Sequence, residues 1–324
     1  MYGAAPLTIS SKGSEFSGLF FGGKYLTGPD RCGKCSNEIV TLHLTTRKTI
    51  GVKIIRPNRQ DLQSMGSKVY NTVLQEGTVP PRSYGGRLTQ ISSNDETSNT
   101  IEGNSFHIQI LIYSYQSLLA ILVGGIMQPN IGCSSLDVLT KDINLWEEEL
   151  VSGIYILTFT RKLDRFHWRK IKLEIEKMLP TAFHGQEYLP DKKCLIIFGG
   201  LTVKENKELQ RRPLAEIYAL FPEEEKGHKL TVVTEVEETF HLSATSTAVS
   251  TNGDIYFWGG YGSKAVSTER KTQNVMDIVG KLSVSLDLKL VNFSMKKCGL
   301  AFAGGFSFLA SDNTVFISCG TVSR

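Results

Sequence analysis

A short apolar run that stops at two glycines recurs along this chain, and few architectures accommodate that pattern. Leu19–Phe21 precede Gly22 and Gly23, Ala120–Val123 precede Gly124 and Gly125, Cys194–Phe198 precede Gly199 and Gly200, and Ile255–Trp258 precede Gly259 and Gly260. A degraded fifth copy places Val315–Ser318 before Cys319 and Gly320. The first glycines of the four pairs lie 102, 75 and 60 residues apart, and Gly320 lies 60 beyond Gly260. Self-similarity at such intervals marks a repeat architecture whose loops carry insertions. The interval of 102 has room for two repeats, one without its glycines. A glycine pair lets the backbone turn through positive φ where a Cβ would clash.

The segments around the glycines alternate large apolar and polar residues, the period of a β-strand. "EIVTLHL" and "VKII" follow the first pair, "GIYILTF" and "FHWRKIKL" the second, "EIYALF" and "KLTVV" the third, "NVMDIV" and "SVSLDLKL" the fourth. Asn252 and Gly253, between two such runs, are a strong hairpin signal. Helix signals are scarce, with one short candidate in "TKDINLWEE". The pattern predicts an all-β chain: a six-bladed kelch-type β-propeller, in which four-stranded sheets pack around an axis. Its second blade is degenerate, with "SKVYNTVL" (67–74) as its one candidate strand. A single domain spans 1–324, and 92–105 form a polar surface insertion. Pro6–Ser10 are expected to close the last blade against residues 315–319.

Composition restricts function more than it directs it. The chain is 41% hydrophobic and 21% charged, with a net charge of +4, which permits contact with nucleic acid without demanding it. No apolar run has the length of a membrane span; the longest, 106–123, is broken by His107, Gln109, Ser114 and Gln116. The N-terminal stretch lacks the charged start and leucine-rich run of a secretory leader. Six cysteines point to a reducing compartment. Cys32 and Cys35 form a lone Cys-x-x-Cys without the second pair that zinc needs, and read as two free thiols. The six histidines (43, 107, 167, 184, 228 and 241) are dispersed, and the acidic runs "WEEEL" and "PEEEKG" read as solvated loops. "SDNTVF" lacks the glycine and tryptophan of sialidase turns. No catalytic constellation, metal site or cofactor is predicted. Basic residues are more suggestive. Arg31, Lys34, Arg47, Lys48 and Lys53 lie in or beside first-blade loops, with "RRP" (211–213) and "ERK" (269–271) in the comparable loop of later blades. Loops of one type emerge on one face of a propeller, so these groups are candidate DNA phosphate contacts.

The order of the motifs matches a known family. "GTVPPRSYGGRL", the long insertion from "LVGGIMQPNIGCSSLDVLTKDINLWEEELVSG" to "YILTF", "TAFHGQEYLPDKKCLIIFGG", "RRPLAEIYALF" and the terminal "NTVFISCG" succeed one another in an order that resembles the kelch-propeller core of the second recombination-activating protein. That family is the non-catalytic partner in the V(D)J recombinase and in related transposons. The resemblance covers nearly the whole chain. It implies an accessory, non-enzymatic subunit that grips a catalytic transposase subunit, whose carboxylates and divalent metal cut DNA. It further implies a heterotetramer with two copies of each subunit, a nuclear location, and DNA engaged mainly through the complex. The sequence carries no acidic hinge and no cysteine/histidine-rich chromatin-reading finger, so the resemblance is to a transposon-type relative. A kelch-type interaction adaptor, as in ubiquitin ligases, is the alternative; such adaptors usually carry an upstream dimerisation domain.

Overall fold

Alternation of apolar and polar residues produces antiparallel sheets, and repetition of the alternation produces several of them. The computed structural model describes residues 4–12, 15–26, 33–45, 48–55, 75–91, 117–127, 149–151, 153–160, 163, 165–175, 181–203, 209–234, 240–263, 274–304, 306–309, 315–318 and 321–322. Blade A begins with β1 (Ala5–Lys12) and β2 (Glu15–Phe21), passes through a flanking pair, β3 (Lys24–Leu26) and β4 (Gly33–Cys35), and ends with β5 (Ile39–Thr45) and β6 (Lys48–Ile55). In blade B, β7 (Gln75–Gly77) and β8 (Ser83–Tyr84) lead to β9 (Arg87–Gln90) and β10 (Ser117–Val123). The flanking β11 (Ile126–Met127) and β12 (Glu149–Leu150) come next, then β13 (Ile154–Thr160) and β14 (Phe166–Ile171). Blade C comprises β15 (Glu174–Ile175), β16 (Gly185–Leu189), β17 (Cys194–Phe198), β18 (Leu201–Val203), β19 (Leu209–Arg211), β20 (Ile217–Phe221) and β21 (Lys226–Thr234). Blade D comprises β22 (His241–Ser243), β23 (Ser246–Val249), β24 (Ile255–Trp258), β25 (Tyr261–Ser263), β26 (Asn274–Val275), β27 (Val279–Val284) and β28 (Leu290–Lys296). Blade E contributes β29 (Phe302–Ala303), β30 (Phe306–Leu309), β31 (Val315–Ser318) and β32 (Thr321–Val322). The one helical element among the described residues is a 3-10 turn at Pro190–Lys192.

Each complete blade is a four-stranded antiparallel sheet, ordered β1-β2-β5-β6, β9-β10-β13-β14, β16-β17-β20-β21 and β23-β24-β27-β28; blade E is the hairpin β30–β31. The first strands β1, β9, β16, β23 and β30 stand side by side in chain order and form the inner edge of a β-propeller-like arrangement. The chain leaving one blade runs parallel to the outer strand of the next. β7 pairs with β14, β15 with β21, and Thr231–Thr234 of β21 with Leu290–Phe293 of β28. That last pairing joins blades C and D into one continuous sheet.

Because successive strand residues point to opposite faces, a blade that lies between two others has two apolar faces to bury, as blades B and C do. Leu19, Phe21 and Ile39 of blade A pack with Leu122, Leu157, Phe166 and Trp168 of blade B. Ile121, Val123, Ile154 and Ile171 of blade B meet Leu195, Ile197, Tyr218 and Leu220 of blade C. Ile196, Phe198 and Ile217 of blade C meet Ile255, Phe257, Leu282 and Phe293 of blade D. Trp168 shows how such residues are held: its ring centre lies 4.8 Å from that of Phe21, and its indole N–H donates to Gln75 Oε1 at 2.7 Å. Full burial of one large apolar side chain contributes about 1.5–3 kcal/mol.

The glycine pairs are where one blade touches the next. The N–H groups of Gly23, Gly125, Gly200 and Gly260 donate to the carbonyls of Ser83, Thr181, Leu242 and Phe302 at 2.8, 2.9, 2.8 and 2.7 Å. The first glycine of each pair, at φ 67, 64, 60 and 60°, sits so close that a Cβ would lie 2.7, 1.9, 2.6 and 2.2 Å from the same carbonyl oxygens. Nearer the inner edge a second chain of backbone bonds crosses the blades. Phe183 donates to Gly85 at 2.6 Å, Ala244 to Phe183 at 2.7 Å, and Gly304 to Ala244 at 2.9 Å. All four residues have positive φ, although only two are glycines.

Several expectations from the sequence change here. Gly23 bonds directly to Ser83, and β1 stands beside β9, so among the described residues the blade of the second glycine pair follows that of the first directly, with no degenerate blade between them. The described residues hold five repeats; residues 67–74 and the insertion at 92–105 lie outside them, as does the helix candidate at 140–148. Pro6–Ser10 do not close a last blade; they are the inner strand of blade A, with Pro6 opposite Phe20 and Ser10 opposite Ser17. "SVSLDLKL" is not one strand. It is a hairpin: Asp287 Oδ1 accepts from the Ser285 hydroxyl at 2.5 Å and from the Lys289 N–H at 3.2 Å, and Leu288 takes φ 56°. A short Asx turn thus interrupts a run whose alternation reads as continuous.

Candidate functional site

Inner strands of a propeller are expected to carry small or apolar residues, yet those of blades B, C and D carry a polar cluster. Gly86 ends the turn that opens β9, and Arg87 follows it, pointing across the inner edge. Its Nε donates to the His184 carbonyl at 3.0 Å, and its Nη2 donates to the Thr245 carbonyl. One side chain from blade B thus bridges the residues that immediately precede the inner strands of blades C and D. Glu187, on β16, faces Arg87 and accepts a 2.6 Å hydrogen bond from the Thr247 hydroxyl of β23. Gln186 donates through Nε2 to Thr89 Oγ1 at 2.9 Å, with longer contacts of 3.4 Å to the carbonyls of Arg87 and Ile121.

Those acceptors fix the Gln186 amide, and the amide fixes a tautomer. Its Oε1 faces His184 Nε2 at 2.9 Å, so that nitrogen carries the proton and donates. Nδ1 is then a buried acceptor without a hydrogen-bond partner among the described residues. Burial, aided by Arg87 and Arg212, lowers the His184 pKa to about 3, so the ring is neutral. Burial lifts the Glu187 carboxyl to about 7, against the pull of Thr247 and Arg87. The two shifts have opposite consequences. The raised Glu187 value gives stability that is full below pH 4.5 and is lost as pH rises through about 7. The lowered His184 value gives stability that is present above pH 6.5 and is lost as pH falls towards 3. The difference in denaturation midpoint between the wild type and Glu187→Gln is therefore expected to grow from pH 5 to pH 8, with the variant gaining. A constant difference across that range would contradict the assignment. The cluster joins three blades through hydrogen bonds, with the Arg87 charge acting on the Glu187 carboxyl.

The structure places the basic candidates as follows. Lys34 is in β4 opposite Tyr25, and Lys48 and Lys53 are in β6 opposite Thr45 and Thr41. Arg31 and Arg47 lie outside the described residues, as does 269–271. The loop "RRP" is not a uniformly exposed basic patch. Arg212 is buried, its guanidinium 5.3 Å from the Tyr218 ring centre and 3.9 Å from Glu216 Oε2. Its backbone N–H bonds to Gly200, so the glycine pair pulls this loop into the C–D contact. Of the Cys-x-x-Cys pair, Cys35 is buried, and Cys32 lies outside the described residues. Sequence reasoning missed Arg87, His184, Gln186 and Glu187. The available signal was a charged group inside each of two strands, "GRL" and "GQEYL".

No family model matches the chain, and no curated protein matches it. Solved structures do. Its fold is similar to a chain of RAG in complex with one melted RSS and one unmelted RSS, with a TM-score of 0.53 and 14% identity, covering 95% of this chain and 71% of that one. It is also similar to YjhT, with a TM-score of 0.52 and 12% identity, covering 99% of this chain and 77% of that one. At these identities the likeness shows the fold, a β-propeller-like all-β architecture.

Proposed function

We propose that this chain is a non-catalytic accessory subunit of a DNA recombinase or transposase of the recombination-activating type, built on kelch-type repeats and acting in the nucleus. The observation that supports this most is a similarity extending over 95% of the chain to a chain of a RAG complex. It is joined by the order of motifs from "GTVPPRSYGGRL" to "NTVFISCG". On this reading the catalytic subunit supplies the divalent metal and cuts DNA, and the propeller grips that subunit and supports flanking duplex. Purification of the tagged chain from cells of its source, with identification of bound proteins, tests the reading. A large transposase subunit is the expected partner, and a ubiquitin-ligase scaffold in its place would favour the adaptor alternative.

Contacts from Arg31, Lys34, Arg47, Lys48 and Lys53 would go to phosphates and add affinity without sequence preference. Changing Arg31, Lys34 and Lys48 together to alanine is expected to weaken DNA binding by the assembled complex. It should also flatten the salt dependence, by about 0.9 in log–log slope for each phosphate that is no longer neutralised. Unchanged affinity and slope in an intact complex would return these residues to ordinary solvated surface.

A further inference from the structure

Blades C and D are joined differently from blades B and C, and the difference lies at the rim and in the core. At each rim the chain that leaves one blade pairs in parallel with the outer strand of the next. Between B and C that pairing is short and follows a break. β14 ends at Ile171, and β15 matches only Glu174 with Lys226 and Ile175 with Gly227. Between C and D there is no break. β21 pairs with Ile217 of its own blade at Leu230, then continues and pairs Thr231–Thr234 with Leu290–Phe293 of β28. Three further bonds fasten the same seam. The Thr231 N–H donates to the Lys289 carbonyl at 2.8 Å, the Thr234 hydroxyl to the Phe293 carbonyl at 3.1 Å, and His228 Nε2 to the Leu288 carbonyl at 2.8 Å.

The main strands of the two blades therefore form one sheet, from β16 through β21 and β28 to β23. Its end strands also stand side by side, with the Thr247 hydroxyl 3.4 Å from the Gln186 carbonyl, so the sheet wraps round its own core. Among the described residues that core holds sixteen buried hydrophobic residues, against eight between B and C. The inner edge does not distinguish the two joints. Arg87 and Gln186 tie blade B to blade C there, and Glu187 with Thr247 ties C to D. The backbone bonds are matched as well. Across B–C, Gly125 donates to Thr181 at 2.9 Å and Phe183 to Gly85 at 2.6 Å. Across C–D, Gly200 donates to Leu242 at 2.8 Å and Ala244 to Phe183 at 2.7 Å. Separating B from C breaks its pair of bonds and uncovers the smaller core. Separating C from D also unzips the seam between β21 and β28 and uncovers the larger core, and apolar burial is the dominant stabilising term.

We propose that blades C and D form one cooperative body and that the ring opens at the B–C joint. Proteins open in contiguous units, and the divisions fall where the fewest buried apolar contacts cross. Opening at B–C releases the bonds that Arg87 makes to blades C and D and uncovers Ile121, Val123, Leu195 and Ile197. This inference stands apart from the recombinase reading.

The test is amide hydrogen exchange of the full chain under native conditions, read residue by residue by NMR and corrected for intrinsic rates. Because the amides of the two joints make bonds of similar length, a difference between them reports the unit that opens. Gly125 and Phe183 are expected to exchange at least tenfold faster than Gly200 and Ala244. Ile121→Val trims only the B–C core, by one methylene, and should speed exchange at Gly125 and Phe183 at least twofold while leaving Gly200 and Ala244 unchanged. Two results would each overturn the proposal. One is protection at B–C equal to or greater than that at C–D. The other is an Ile121→Val effect that spreads equally to Gly200 and Ala244, meaning that the ring opens as a whole.

Discussion

Gly124→Ala is expected to cost roughly 4 kcal/mol or more, enough to abolish folding of a marginally stable chain. The added Cβ would lie 1.9 Å from the Thr181 carbonyl oxygen, a backbone atom, at a residue whose φ is +64°. Because the clash is with backbone, moving a side chain aside does not relieve it, and relief would break the Gly125 to Thr181 hydrogen bond that joins blades B and C. Gly253→Ala is the control. Its φ is +80°, but among the described residues nothing lies within 4 Å of the new Cβ, so only left-handed strain of about 1–2 kcal/mol is expected. Denaturant midpoints of the two variants check the claim directly. Equal, small losses would mean that the glycine pair turns the chain without joining blades.

Arg87→Met is the second large effect. The guanidinium satisfies the carbonyls of His184 and Thr245 and faces Glu187. Removing it strands two buried carbonyls and takes away the positive charge that Glu187 faces, a loss on the order of 3–5 kcal/mol. Combining it with Glu187→Gln should recover part of that loss, because the second change removes the cost of ionising a buried carboxyl that has lost its cation, while keeping an acceptor for Thr247. Additive losses in the double variant would show that Arg87 and Glu187 act independently.

The glycine pairs are readable in the sequence because they end apolar runs, and φ and packing at a strand end are local properties. The number of repeats between Gly22 and Gly124 is not, because the partner strands β9 and β10 are separated by 26 residues that carry no repeat signal. The inner chain of positive-φ residues is hidden for another reason: Phe183 and Ala244 occupy places that Gly85 and Gly304 fill elsewhere. Neighbouring backbones, not residue type, hold those two in the left-handed region. Arg87 and Glu187 are legible only as misplaced charges, since each finds its partners in another blade. Arg212 reads as surface because burial of an arginine depends on Tyr218 and Glu216, which the fold brings against it.

The most direct measurement of the proposed role is cleavage of terminal-repeat DNA in Mg²⁺ by the catalytic transposase subunit, with and without this chain. The expected result is a stable complex of the two proteins and cleavage that requires both, with none from this chain alone. Full cleavage by the catalytic subunit in its absence, or failure of the two to associate, would contradict the proposed role.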